Sequence, residues 1–309
     1  MADELDDGAL TAIAAMLDGC PTAGFRMRLR KTLERSISMT TVSTMRPRGV
    51  RAGFMAVTPY LMAPDIEPII AFAKHVFDAE ETYRTIGGAG GTHCELRIGD
   101  SMLMLGGGPS SGADDRRFPL RLVGLHVYVE DADAVFRRAL DAGAESLGAP
   151  ADRPYGERAG FVKDPAGNHW YIATHRGPTY FAEGPHTVTP HVYVRHTAAS
   201  GAPHFIEFLR AAFGAEVELR HDTPDGRVAH AVVRIRDAAI EIGEGDAGRF
   251  ASPASFYLYV DDCDRLYAQA IQAGGTSLHP PSEQLYGDRM GGVADQWGNE
   301  WFIATHLVR

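Results

Sequence analysis

The strongest constraint on this chain is that one module is written in it twice. Residues 126–175, HVYVEDADAVFRRALDAGAESLGAPADRPYGERAGFVKDPAGNHWYIATH, align without a gap to residues 257–306, YLYVDDCDRLYAQAIQAGGTSLHPPSEQLYGDRMGGVADQWGNEWFIATH. Tyr155, Gly156 and Arg158 match Tyr286, Gly287 and Arg289, and Asp164, Gly167, Asn168 and Trp170 match Asp295, Gly298, Asn299 and Trp301. Upstream, VTPYLMAPD (57–65) matches VTPHVYVRH (188–196), and HCELRIGDSMLML (93–105) matches HAVVRIRDAAIEI (230–242), with a small insertion near Thr197–Gly201 in the second copy. A repeat of this length fixes the architecture before any local propensity is weighed. It divides the chain into a helical N-terminal extension and linker (1–52), a first module (53–176), a linker (177–187) and a second module (188–309).

Within a module the periodicity changes in a fixed order. VTPYLM reads as a strand, and Ile69, Ile70, Phe72, Ala73, Val76 and Phe77 recur at helical spacing behind Pro64 and Asp65. Three strands are predicted near 80–86, 92–98 and 101–106, with RIGD (97–100) as a tight turn. The second half repeats this: a strand over 124–131, a helix over Asp131–Ala142 stopped by Gly143, and strands near 145–149, 158–163 and 169–174 around the DPAGN turn. The predicted fold class is α+β, with tandem modules of two βαβββ motifs each, and eight strands per module curling into a cup suited to a small ligand.

Composition removes several function classes. Hydrophobic residues at 45% and charged residues at 23% describe a globular chain. No run approaches the ~20 apolar residues of a membrane span. The acidic start, MADELDDGAL, lacks the basic and apolar regions of a secretory signal. A cytoplasmic location is therefore expected, with no membrane partner. The net charge of −10 argues against nucleic acid. Cys20, Cys94 and Cys263 are odd in number and form no CxxC pair, so neither a disulfide framework nor a zinc site is expected.

The strand–helix opening, the HCELRIGDSMLML hairpin and the YGxRxGxVxDPxGNxWxIATH ending resemble the vicinal-oxygen-chelate superfamily. Its members include glyoxalase I, bleomycin-resistance proteins, extradiol dioxygenases and methylmalonyl-CoA epimerase, and the two-module form resembles the PhnB-like branch. The resemblance implies the βαβββ cup and, in metal-using members, four ligands at equivalent strand positions. Laid on that pattern, the first module offers Thr58, Met104, Gly124 and Ile172, and the second Thr189, Glu241, Ser255 and Ile303. No metal is expected in the first module. In the second, at most Glu241 and His191 could hold a divalent ion, and no other cofactor is expected.

Strand alternation then assigns candidate site residues. Tyr60, Met104, His126, Tyr128 and Trp170 would line the first cup. His191, Glu241, Tyr257, Tyr259 and Trp301 would line the second. His126, His191 and Glu241 are the candidate acid–base groups, each weighed against a satisfied buried polar group. Arg158 and Arg289 could hold an anion at a cup mouth or form salt bridges. GFRMRLRKTLERSI (24–37) is basic and amphipathic and is expected to pack on the acidic body or across a homodimer. Three functions stay open. The first is a small-molecule-binding protein of the glyoxalase/bleomycin-resistance type, sequestering a drug or metabolite in an aromatic cup. The second is an enzyme of lyase, isomerase or oxygenase type, and the third an interaction protein with degenerate cups.

Overall fold

A computed structural model describes residues 49–87, 91–108, 120–153, 156–176, 186–196, 200–245 and 253–307. The basic helix expected over 24–37, Cys20, Tyr155 and most of the 177–187 linker lie outside them. Gly49–Arg309 form one compact unit. Four βαβββ motifs follow one another. Motif 1 holds β1 (Val57–Ala63), α1 (Glu67–Phe77), β2 (Glu80–Ile86), β3 (Thr92–Ile98) and β4 (Ser101–Gly107). Motif 2 holds β5 (Gly124–Tyr128), α2 (Ala132–Asp141), β6 (Glu145–Arg153), β7 (Glu157–Lys163) and β8 (His169–His175). Motif 3 holds β9 (Val188–Arg195), α3 (Ala202–Phe213), β10 (Glu216–Asp222), β11 (Val228–Ile235) and β12 (Ala238–Gly245). Motif 4 holds β13 (Ser255–Tyr259), α4 (Cys263–Gln272), β14 (Thr276–Glu283), β15 (Asp288–Ala294) and β16 (Glu300–His306).

The elements form where the apolar pattern places them. Alpha-helix α2 starts at Asp131, whose carboxylate accepts from the Ala134 amide, and α4 starts the same way at Asp262 with Arg265. The RIGD turn is a two-residue link, Gly99–Asp100, with Gly99 at φ 57°. In the second module Arg236 takes that place at φ 59°, an uncommon conformation for a residue with a Cβ.

The pairing of motifs differs from the simplest reading of the repeat. Both eight-stranded sheets form, but each takes one motif from each module. The first sheet runs β14-β15-β16-β13-β1-β4-β3-β2, joining motifs 1 and 4. The second runs β10-β11-β12-β9-β5-β8-β7-β6, joining motifs 3 and 2. The seams are antiparallel, with Thr58 opposite Tyr257 and His126 opposite Thr189. The hairpin turns tether these exchanged strands: Asp100 accepts from the Thr187 amide before β9, and Asp237 from the Ala56 amide before β1, both at 2.8 Å.

The helices, in contrast, stay with their own module. Phe72 and Phe77 of α1 pack on Trp170 of β8, while Phe208 of α3 packs on Trp297 and Phe213 on Trp301 of β16. Arg138 of α2 donates to the Val76 carbonyl of α1, and Gln269 of α4 to the Ala211 carbonyl of α3. Each module is held to itself by helices and to the other by strands, around one continuous apolar core.

A chain cut in the 177–187 linker should therefore reassemble. The two halves, coexpressed, are expected to copurify as a 1:1 complex, because each carries motifs whose sheet edges are completed by the other. Gel filtration that found either half as a folded monomer would contradict this pairing. Cys94 and Cys263 are free and buried. Among the described residues no helix is long and apolar enough to cross a membrane.

Candidate functional site

Strands two places apart in a flat sheet are separated by about 9.5 Å. Here side chains from such strands touch on one face of each sheet, which makes that face concave. In the first sheet Tyr60 of β1 reaches Phe302 of β16 with ring centroids 5.6 Å apart. In the second, Glu241 of β12 reaches over β9 to His126 of β5, and Tyr171 of β8 reaches over β5 to Tyr193 of β9, Oη to Oη 2.6 Å.

The exchange of motifs redistributes the candidate residues. Tyr60 and Met104 share the first concave face with Tyr257 and Tyr259, not with His126 and Tyr128. His126 and Tyr128 share the second with His191 and Glu241. The repeat leaves open whether motifs pair within or between modules, and assigning the cups by module follows the within-module choice. At matching register the first sheet carries Tyr60 beside Met104 and Tyr257 beside Phe302. The second carries His191 beside Glu241 and His126 beside Tyr171. One face is aromatic and the other ionic.

Two further pairs move away from the cups. Trp170 and Trp301 are fully buried on the opposite, helix-facing side, where Asp164 and Asp295 accept from their indole N–H at 2.9 and 3.0 Å. The alternation was read one residue out of phase on β8 and β16, so that Tyr171 and Phe302 face the cups instead. The same phase error places Ile172 and Ile303 in the core. Arg158 pairs with Asp133 and Asp152, and Arg289 with Asp264, at the first turns of α2 and α4. These are salt bridges that tie β7 and β15 to helices, not anion sites.

His126 is the centre of the ionic face. Its Nδ1 lies 2.9 and 3.1 Å from the two Glu241 carboxylate oxygens, and its Nε2 lies 3.4 Å from Glu157 Oε2. Burial alone would lower its pKa, but the charges of Glu241 and Glu157 outweigh that and raise it to about 10. Burial likewise works against ionised Glu241 and Glu157, and in both the facing His126 wins and holds the acid below its ordinary value. His126 is thus an imidazolium clamped between two carboxylates. Tyr128 donates to Glu157 at 2.9 Å and stacks on His126 at 4.4 Å.

His191 occupies the related position one strand away. The tetrapeptide HVYV recurs at 126–129 and 191–194, and His191 stacks on Tyr193 as His126 stacks on Tyr128, again at 4.4 Å. Its environment is different. The Glu241 carboxylate is 3.5 Å from Nδ1, outside hydrogen-bond geometry, and among the described residues neither ring nitrogen has a hydrogen-bond partner. Burial, reinforced by the neighbouring His230 and His126 against the pull of Glu241, lowers its pKa to about 3. His191 is therefore a neutral, buried imidazole, with Tyr171 at 5.1 Å and His230 at 6.0 Å.

The buried acids Glu157 and Asp288 were not singled out in the sequence. They stand at equivalent places in YGERAG and YGDRMG. Asp288 accepts from Tyr257 and Tyr259 at 2.8 and 3.1 Å and lies 2.7 Å from His306 Nδ1. The signal in the sequence is an acid repeated between identical neighbours, Gly156 and Arg158 in one copy and Gly287 and Arg289 in the other.

The family's metal chemistry needs three or four donors converging on a point. Among the described residues no group of three or more His, Cys, Asp or Glu side chains is so arranged. Glu241 directs both oxygens at His126, and Tyr60, Met104, Tyr257 and Phe302 offer no carboxylate or imidazole at the matching places of the other face. As arranged here, these side chains do not converge as a metal's ligand set.

Comparison with known proteins agrees with this architecture. The family model for the glyoxalase/bleomycin resistance protein/dioxygenase superfamily matches residues 53–172 and 198–303, and the chain belongs to that superfamily. An uncharacterized protein of Mycobacterium bovis is 38% identical over 123 residues, which is 38% of this chain and 81% of that one. A Mycobacterium tuberculosis relative is 38% identical over the same length and is covered to 72%. Among solved structures, glyoxalase I from Zea mays superposes with a TM-score of 0.60 at 14% identity, covering 81% of this chain and 92% of that one. A putative dioxygenase from Bacillus subtilis gives 0.52 at 14% identity, covering 81% and 84%. At these identities the structural likeness is one of fold.

Proposed function

We propose that this chain binds a small organic molecule on the concave face of its second sheet, against His191. The observation that carries this reading is the pair of buried ring nitrogens on His191 with no hydrogen-bond partner among the described residues. A neutral imidazole brings one donor and one acceptor, and leaving each unmet in a buried site costs about 1–3 kcal/mol. A ligand hydroxyl or amide that reaches the ring meets one of them. The rings of Tyr171 and Tyr193 beside His191 favour a flat or aromatic body. His126 with Glu241 and Glu157 leaves the face one negative charge in surplus, which suits a neutral or cationic ligand.

Binding is favoured over acid–base catalysis because of where these groups titrate. His126 is held protonated and His191 neutral far from pH 7, so neither is poised to exchange a proton in turnover. The test is a calorimetric and thermal-shift screen of neutral and cationic aromatic metabolites on the full chain, repeated on His191→Phe. Compounds that bind the wild type should weaken by about tenfold, the value of one good hydrogen bond. A screen without binders, or binders indifferent to His191→Phe, would overturn this assignment.

A further inference from the structure

The first concave face contains a buried carboxylate that its fold does not require. Glu95 of β3 is 1% exposed and lies opposite Met104 of β4. In motif 3 the same register position, opposite Glu241, is filled by Val232. An apolar residue therefore serves the frame there, and Glu95 is an addition peculiar to motif 1. A buried acid persists only with several donors or a cation beside it, and Glu95 has a cation.

That cation does not come from the sheet. It is Arg51, on the irregular strap that precedes β1. Its two terminal nitrogens grip Glu95 in a bidentate pair, NH2 to Oε2 at 3.1 Å. Its guanidinium lies over the Phe54 ring at 4.9 Å and near the Tyr83 ring at 5.7 Å. Phe54 in turn meets Tyr259 edge-on at 5.7 Å. His93 completes the anion's surroundings, with Nε2 3.3 Å from Glu95. This is an acid set among aromatic faces, the environment that recognises a planar cation. At its rim Tyr83 and Tyr286 remain largely exposed, ready to cover the body of a longer molecule.

The strap that delivers Arg51 is held by few backbone bonds. Gly49 accepts from the His306 amide at 2.9 Å, and the Ala56 carbonyl accepts from the Tyr259 amide at 2.7 Å. Between these two points the backbone bond recorded is a local one, Phe54 N–H to the Arg51 carbonyl. Val50 and Phe54 pack on the Met104–Tyr257–Tyr259 cluster and Met55 on the main core, so residues 50–55 lift away by giving up those side-chain contacts, while the pairing of β1 is kept.

We propose that the first concave face is a binding site for alkylguanidine ligands, closed in the resting chain by Arg51 acting as an internal occupant. It is separate from the His191 site and does not depend on it. An external guanidinium would take the Glu95 carboxylate and the Tyr83 and Tyr259 faces, and Arg51 would move into solvent. The overall acidity of the chain favours the approach of such cations.

The test uses the full chain and agmatine as probe. In Arg51→Ala, agmatine should raise Tm in proportion to the logarithm of its concentration above Kd. Urea at the same concentration, and sodium chloride at the same ionic strength, should not. Adding Glu95→Gln to that variant should abolish the shift. In the wild type, which needs no variant to fold, agmatine should accelerate chymotryptic cleavage after Phe54 several-fold, and urea should not. The proposal is overturned if Arg51→Ala responds equally to urea or salt, if Glu95→Gln keeps the shift, or if agmatine leaves cleavage after Phe54 unchanged.

Discussion

His126→Leu should be among the most damaging single substitutions in this chain, lowering unfolding free energy at pH 7 by about 3–5 kcal/mol. It leaves Glu241 and Glu157 facing each other in a buried site without the cation both depend on. Adding Glu241→Gln should recover part of the loss, since one of the two stranded charges is removed. The pH dependence carries a second signature. His126 has a raised folded pKa, so its contribution is complete below its ordinary value of 6.5 and is lost as pH rises through about 10. Glu241 is depressed, so its share is complete above 4.5 and is lost as pH falls toward its lowered value. His191, buried neutral, acts in the opposite sense to His126: its share is complete above 6.5 and is lost as pH falls to about 3. Urea denaturation of the wild type should thus show stability falling between about pH 6.5 and 10 by a few kcal/mol, and His126→Leu should flatten that limb. An alkaline limb unchanged in the variant would mean that His126 is not the charged centre described.

Asp295→Ala should have a comparable cost for a different reason. This one carboxylate accepts from the Trp297 and Asn299 amides, the Asn299 side-chain amide and the Trp301 indole, all near 2.9–3.0 Å. Its loss strands buried donors, at about 1–3 kcal/mol for each that finds no water. Calorimetry should show a drop of about 3–5 kcal/mol. Asp164→Ala should behave alike, because Asp164 holds Ala166, Asn168 and Trp170 through the same four bonds. If Asp295→Ala melted within a degree of wild type, the DxxGN turns would not be the anchors of β8 and β16 described here.

Much of the architecture was legible in the sequence because it rests on local signals. The turns at Gly99–Asp100 and Asp164–Asn168, the capping Asp131 and Asp262, and the order of strand and helix all follow from neighbouring residues. The pairing of motifs is a long-range property, and both possible pairings bury the same apolar faces. Nothing local separates Tyr257 beside Thr58 from His126 beside it. The candidate histidines and Glu241 lie on a concave face, but their partners are not legible locally. The carboxylates that hold His126 are remote, with Glu241 115 positions away and Glu157 in the next hairpin. The misplacement of Trp170 and Trp301 has another origin. On β8 Trp170, Tyr171, Ile172 and Ala173 form an unbroken apolar and aromatic run, so alternation has no contrast to fix its phase.

The crossing of strands between modules has a consequence for how such a protein can change. Two separate copies of one module, paired in this way, would carry two identical faces, since symmetry makes every substitution appear in both. Joining the copies in one chain lifts that restriction. A change in motif 1 or motif 4 alters only the aromatic face, and one in motif 2 or motif 3 only the ionic face. Covalent linkage thus lets a single polypeptide specialise its two receptors separately while its core and turns, written twice, stay alike.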